Sequence, residues 1–398
     1  MLDSNKPNKE VSMSQQNEYK HIETLAIHGS MKESQPQNSP IVPGIEMSTI
    51  YEHRKNGHLE GDFKYTRLQN PNRMQLENVL CGLEKGAAAA AFSSGIAAIN
   101  AVFQTLEHGD HVLLPSDVYF GTRKLMWEFA NRWGLEVEFI DMTDVNRLEQ
   151  ACKPNTKMIW VETPSNPQML ITDLEAVVEL AKTKKLVVAV DNTWPTPFNL
   201  NPLSYGVDLV IHSTTKYLGG HSDLLGGAVI ARESGALMDR VRSVQVAQGG
   251  VPSPFDAWML CRSIRSFPYR MRAHNENALE VAHFLCTLPG IEQVFFPGLD
   301  SHPGHTIAKR QMRHFGGMIS FLVEGDQQLA TRIVTSTKII QAATSLGGIE
   351  SIWEHRKSSE GPLSETPENL IRLSVGLEHV EDLKEDIEQA VKQALTIK

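Results

Sequence analysis

The chain is poor in cysteine and carries none of it in pairs. Its four cysteines, Cys81, Cys152, Cys261 and Cys286, are scattered with no Cys-x-x-Cys spacing. That argues against a thiolate zinc site and suits a reducing compartment. No apolar run approaches the roughly 20 residues needed to span a bilayer. The opening stretch, MLDSNKPNKEVSMSQQNEYK, has no apolar core and does not read as a secretory signal. A cytoplasmic location is expected on these grounds. Lys and Arg number 38 against 47 Asp and Glu, for a net charge of −9. The basic stripe that marks a nucleic-acid partner is therefore missing. No internal repeat is visible.

What remains is an ordinary globular composition, 41% hydrophobic and 21% charged over 398 residues. That length suggests roughly two to three domains. Residues 1 to about 19 have too few apolar side chains to offset ordering entropy and are expected to be disordered. A short helix is expected over 21–28. Residues 30–64 are rich in Pro, Gly and polar groups and read as an extended arm, closing an N-terminal segment 1–64.

From residue 72 the pattern turns regular. Helices are expected at 74–83, 96–106, 121–133, 145–152 and 174–183. Strands are expected at 88–92, 112–115, 136–140, 158–162, 186–191, 208–211 and 228–231. Alternation at these spacings calls for an α/β domain, 65–265, with a mostly parallel central sheet covered on both faces. Long helical stretches follow over 254–288. A smaller α+β unit, 266–398, has expected strands at 318–322 and 370–375. The last helix places Val380, Leu383, Ile387, Val391 and Ala394 on one face at helical spacing, a core stripe.

The chemistry centres on residues 212–227, HSTTKYLGGHSDLLGG. A strand runs into small hydroxyl residues, then Lys216, then paired glycines. Hydroxyls and free backbone N–H groups at a strand end suit a phosphate. A lysine held beside them is placed to act as an amine nucleophile toward a carbonyl. Phosphate, carbonyl and lysine together suggest pyridoxal phosphate. A solvated lysine after an ordinary turn is the plainer alternative.

Other positions at strand ends of the same sheet should converge on Lys216. Ser93-Ser94-Gly95 opens a helix and offers an anion site, or a simple N-cap. Asp191 ends the apolar run LVVAVD, where a carboxylate needs a partner. A pyridinium N–H would serve, as would a salt bridge. Tyr119 suits stacking on an aromatic ring or plain packing. Asn166 suits a ring hydroxyl or a turn.

At these positions the chain resembles the Cys/Met-metabolism pyridoxal-phosphate enzymes, the cystathionine γ-synthase and cystathionine lyase family of the aspartate-aminotransferase-like fold (fold type I). The resemblance runs from about residue 41 to the C-terminus. Its motifs are YTRLQNPNR (65–73), FSSGIAAI (92–99), DVYFGT (117–122), ETPSNP (162–167), VDNTW (190–194), HSTTKYLGGHSD (212–223), SPFDAW (253–258), SLGGIES (345–351) and RLSVGLE (372–378). It implies that 65–265 is the pyridoxal-phosphate-binding domain. Lys216 resembles the lysine that carries the cofactor and shuttles protons. Asp191 resembles the pyridine-nitrogen partner, and Asn166 the ring-hydroxyl partner. Tyr119 resembles the stacking ring and a candidate acid or base. Ser94, Gly95, Ile96, Ser213 and Thr215 resemble the phosphate site. Tyr65 and Arg67 resemble the pair that reaches a neighbouring subunit's phosphate, implying a homo-oligomer of shared sites, expected as a tetramer. Arg372 resembles the clamp on the substrate α-carboxylate, with Ser345 beside it.

The resemblance implies a carbon–sulfur lyase of trans-sulfuration acting on a small sulfur-containing amino acid. Cystathionine β-elimination is ranked ahead of γ-elimination and of γ-replacement on an O-acyl-homoserine. A glutamate common before the SLGG motif in the γ-enzymes is Thr344 here, which weakens contact with a distal ammonium. The cysteine characteristic of methionine γ-lyases is Gly121 here. Residues 352–366, IWEHRKSSEGPLSET, depart from the family pattern, and Trp353, Glu354 and Arg356 in them receive no role. His302, His305 and His314 are not read as a metal site, and RESGALMDRVRS reads as a solvated helix face. A non-catalytic protein that kept the fold is the remaining alternative from another class.

Overall fold

The computed structural model describes residues 19–30, 40–52, 63–361 and 364–396. The segment expected to be disordered, up to about residue 19, lies almost wholly outside these residues, as does much of the arm.

Seven strands form the central sheet: β1 (Ala88–Phe92), β2 (His111–Pro115), β3 (Glu136–Ile140), β4 (Thr156–Glu162), β5 (Val187–Asp191), β6 (Leu209–His212) and β7 (Gly227–Ala231). Their order is β1-β7-β6-β5-β4-β2-β3. All pairings are parallel except those of β7, which runs against both β1 and β6. The mostly parallel sheet expected from the sequence is therefore present. Its inner strands are largely apolar on both faces because helices cover both, whereas the edge strand β3 carries Glu136 and Glu138 on one face. Met158 and Trp160 face one core and Ile159 and Val161 the other. Trp160 stacks on Phe103 with ring centroids 4.9 Å apart.

A second sheet holds β8 (Ile291–Phe295), β9 (Met318–Val323), β10 (Gln341–Ala342), β11 (Ile352–His355) and β12 (Leu370–Ser374), in the order β10-β11-β12-β9-β8. The last helix, Val380–Thr396, packs Leu383, Ile387, Ala390, Val391 and Ala394 into the core beneath it. The long helical stretch divides into Pro254–Ile264 and Phe267–Leu285, with Pro268 in the first turn of the second. Proline there gives up only an N–H that has no helical partner. That second helix joins the cores: Met271 packs into the first, Ala278 and Leu285 into the second. The sequence pattern pointed to β9 and β12 but not to β8, β10 or β11. These are short or half-buried and lack a clear alternation. The departing segment 352–366 thus begins as a core strand beside β12.

The described part of the arm lies across two helices. The Trp258 indole N–H donates to Pro43 O (2.8 Å) and Asn72 Nδ2 to Gly44 O (2.8 Å).

The antiparallel entry of β7 shapes the site. Gly227 pairs with Phe92, and a Cβ on it would stand 2.1 Å from Ser94 O. Only glycine permits this approach of β7 to the Ser94–Gly95 turn. Gly227→Ala is expected to cost about 1–3 kcal/mol in denaturant unfolding by overpacking. It should also weaken pyridoxal phosphate binding, read by equilibrium dialysis.

Candidate active site

The C-terminal ends of the parallel strands deliver the titratable groups. β4 ends on Glu162, β5 on Asp191 and β6 on His212. This is the edge where open α/β sheets bind ligands. Behind it, His212 Nε2 lies 2.6 Å from the buried Glu84 carboxylate, which also accepts from Asn192 Nδ2 (2.7 Å).

Lys216 follows β6 in a tight turn. Its Nζ donates to Ser345 Oγ at 2.6 Å. Burial, then the positive charges of Arg372 and Arg356, lower its pKa to about 8 against the partial opposition of Glu354. A minor but appreciable share of the amine is thus neutral, and nucleophilic, near physiological pH. Ser345 holds φ at +123°, a region that favours glycine. Such strain costs on the order of 1–3 kcal/mol and persists only where neighbours hold it. Here Lys216 binds its hydroxyl and Arg372 Nη2 its carbonyl (3.2 Å).

Asp191 is 8% exposed and accepts the Thr193 N–H at 3.0 Å. Burial raises its pKa, so a cationic partner would be gained with profit to both. Thr193 also accepts from the Ser213 N–H (2.8 Å), linking the ends of β5 and β6. Glu162 is fully enclosed and accepts the Tyr119 N–H (2.9 Å). Burial and the adjacent Asp191 push its pKa well above the carboxylate range. Two neighbouring buried carboxylates do not both ionise. Burial favours the protonated form of each.

Ser94 caps the helix Gly95–Phe103, its hydroxyl accepting the Ala97 N–H (3.2 Å) and its carbonyl the Ala98 N–H (3.2 Å). The first-turn N–H groups of Gly95 and Ile96 then remain for an anion. A Cβ on Gly95 would stand 2.7 Å from Ser213 Cβ, so the turn and the Ser213 hydroxyl share one cradle. Thr215 Oγ1 is tied to Gly226, accepting its N–H at 3.0 Å. Tyr119 is 41% exposed, and a Cβ on Gly121 would meet its ring at 2.4 Å. The glycine at 121 therefore has a steric purpose: it lets the ring lie back over its own loop.

Arg372, on β12, is 3% exposed. Its Nη1 donates to Asn166 Oδ1 (2.9 Å) and its Nη2 to the Glu354 carboxylate. Glu354 also takes Arg356 Nη1 (2.9 Å), Thr344 Oγ1 (3.0 Å) and Ser359 Oγ (2.5 Å). Arg356 in turn pairs with Glu360 (2.8 Å). Lys216, Asp191, Asn166, Ser213, Ser345 and Arg372 thus form one linked neighbourhood, with the Gly95 turn at Ser213. Tyr65 and Arg67 stand outside these contacts. Arg67 Nη1 donates to Val246 O (2.6 Å), and its guanidinium lies 5.6 Å from the Tyr65 ring centroid.

Sequence reasoning singled out Glu354 and Arg356 without a role and missed Glu360, Glu162 and Thr193. Thr193 and Glu162 stood inside motifs, beside residues already singled out. The charges of 354–360 carried no spacing signal, because their partner Arg372 is on another strand. The three histidines are separately engaged. His302 Nδ1 accepts the Gly304 N–H, His305 contacts Pro297 O and Asp300, and His314 stacks on Phe198. Among the described residues no group of His, Cys, Asp or Glu is placed to hold a metal, and no helix is long and apolar enough to cross a membrane.

A strand-end lysine, an anion cradle and a buried carboxylate awaiting a cation fit pyridoxal phosphate. They define a lysine-dependent enzyme of the pyridoxal-phosphate type. The chain belongs to the Cys/Met metabolism PLP-dependent enzymes, whose family model matches residues 23–392. It is 41% identical to a cystathionine gamma-synthase of Mycobacterium tuberculosis over 92% of this chain and 96% of that one. It is 38% identical to a cystathionine beta-lyase of Coxiella burnetii, covering 94% of this chain and 99% of that one. The crystal structure of cystathionine gamma-lyase from Lactobacillus plantarum complexed with L-serine superposes with a TM-score of 0.89 at 36% identity, over 94% of this chain and 99% of that one. The chain is thus a pyridoxal-phosphate-dependent enzyme of the cystathionine lyase and synthase group.

The lowered pKa of Lys216 has a direct consequence. Below about 8 the amine is protonated and cannot attack a carbonyl; above it, the neutral form dominates. The rate at which apoenzyme captures pyridoxal phosphate should climb from pH 6, pass its midpoint near pH 8 and level off by about pH 9. A rate still climbing at pH 10 would mean that the ordinary value of 10.5 applies and that the burial argument fails.

Proposed function

We propose that the chain catalyses β-elimination of cystathionine to homocysteine, pyruvate and ammonia, in the cytoplasm. The observation that carries this reading is the state of the carboxylate next to Thr344. Thr344 is neutral, and the Glu354 carboxylate it touches is already engaged by two guanidiniums and two hydroxyls. The carboxylate that Thr344 touches is therefore not free to hold the distal ammonium of a γ-substrate.

Pyridoxal phosphate supplies a carbonyl for the substrate amine and a ring that spreads the electron pair left at Cα. Lys216 binds it, and Asp191 keeps the pyridine nitrogen protonated. Gly95, Ile96, Ser94, Ser213 and Thr215 hold the phosphate, and Asn166 the ring hydroxyl. Arg372, beside Ser345, orients the substrate by its α-carboxylate. Lys216 would take the Cα proton on its amine. Tyr119 stacks on the ring. Burial raises its pKa, so its phenol keeps a proton to give the departing sulfur.

Tyr65 and Arg67 serve the phosphate of a second copy in a homo-oligomer, expected as a tetramer. Among the described residues, Arg67 bonds Val246 O and lies over the Tyr65 ring rather than joining the hydrogen bonds of Lys216 or Arg372. The arm beside them turns Ile41, Met47 and Ile50 outward at 78%, 63% and 70% exposure, apolar surface that a neighbour would cover. γ-Elimination or γ-replacement is the second reading. It is favoured by the 41% identity to the cystathionine gamma-synthase.

Purified enzyme incubated with L-cystathionine should release pyruvate and homocysteine. Release of 2-oxobutyrate and cysteine would overturn β-elimination in favour of γ-elimination. Absence of any keto acid would direct attention to O-acyl-homoserine with a thiol. Dilution that yields monomer should release cofactor. Monomer that keeps cofactor tightly would show that Tyr65 and Arg67 do not serve a neighbour.

A further inference from the structure

The segment 352–366 departs from the family pattern, yet it supplies the most highly charged part of the site. Four alternating charges run from Arg372 through Glu354 and Arg356 to Glu360. Arg372, Glu354 and Arg356 are 3%, 5% and 4% exposed. Two guanidiniums converge on one oxygen: Glu354 Oε1 accepts both Arg372 Nη2 and Arg356 Nη1. The other oxygen is filled by the Thr344 and Ser359 hydroxyls. Glu360 closes the row on Arg356 and is itself held by Ser364 and Thr366.

Resting on the reading of Arg372 as the carboxylate clamp, we propose that Arg356 is a positioning residue of that clamp, holding Glu354 so that it orients Arg372 without neutralising it. The strand register makes such a device necessary. Glu354 pairs directly with Arg372 across β11 and β12, so the carboxylate is tethered beside the guanidinium and cannot leave. A tethered carboxylate with no second cation would satisfy Arg372 by itself. The substrate's carboxylate would then compete against an anion of very high effective concentration. Arg356 shares Glu354 Oε1, so part of that negative charge is spent elsewhere. Glu354 meanwhile keeps Arg372 aligned with Asn166 and Ser345. The charges of Arg356 and Arg372 also both act on Lys216, consistent with a shared position over the lysine.

The test is a binding titration of the holoenzyme with L-alanine and with L-alaninamide, followed by the cofactor absorbance. Neither ligand has a β-substituent to lose, and only the first has a carboxylate. Arg356→Gln should weaken L-alanine about tenfold and leave L-alaninamide within about twofold. The double variant Glu354→Gln/Arg356→Gln should recover most of the L-alanine affinity, because no unbalanced carboxylate then competes for Arg372. Equal weakening of both ligands would mark Arg356 as structural, and a double variant as weak as the single would remove Glu354 from the account. Either result overturns the proposal. If Arg356→Gln fails to fold, Arg356→Lys carries the test. A few-fold loss confined to L-alanine supports the proposal, and an equal loss or none overturns it. Wild-type enzyme that makes no keto acid from cystathionine would sink the proposed reaction while leaving this titration interpretable. Wild-type enzyme that binds both ligands equally would sink the clamp itself.

Discussion

A guanidinium buried at the seam of two sheets is the constraint on which the rest of the site depends. Arg372 belongs to the C-terminal sheet, yet its partners come from the loop after β4 (Asn166), from the loop before β11 (Ser345) and from β11 itself (Glu354). An unpaired buried charge is costly, so these segments are held together by the need to satisfy it. Ser345, strained and bound to Lys216, is fixed in the same way. One side chain thus ties the substrate end of the site to the lysine.

The cofactor end follows a different rule. Three carboxylates, Asp117, Glu162 and Asp191, are gathered near the ends of the parallel strands, and burial raises the pKa of each. Asp117 is answered by Ser165 and Gln168 and Glu162 by the Tyr119 N–H. Asp191 has Thr193 and a coulombic neighbour in His212. Burial disfavours charge on all three, and a cationic partner at Asp191 would offset that cost. A pyridinium is such a partner.

Much of the fold was legible because most strands of the central sheet hold an apolar run bounded by turn residues, between helices of clear period. The strand 88–92 came from its place before a small-residue turn and a helix, and the helix stripe of Leu383, Ile387 and Val391 from periodicity. Segments such as Gln341–Ala342 and Ile352–His355 did not, since two to four residues hold no measurable alternation and their pairing depends on β12. At the site, Lys216, Asp191 and the Ser94–Gly95 turn were visible from residue type and strand-end position. Glu354 and Arg356 were not, because an acid and a base two residues apart usually mark a solvated loop.

Local order therefore belonged to the amino-acid sequence alone. It specified most of the strands and helices around the central sheet, where the small-residue turns fall, and which lysine could meet a carbonyl. It also specified that position 344 is neutral. Long-range convergence settled the electrostatics. The register of β11 against β12 set Glu354 beside Arg372, and the burial of both made their charges interdependent. A charge's meaning depends on what it faces and on how much water remains. Neither is encoded in any single stretch of chain.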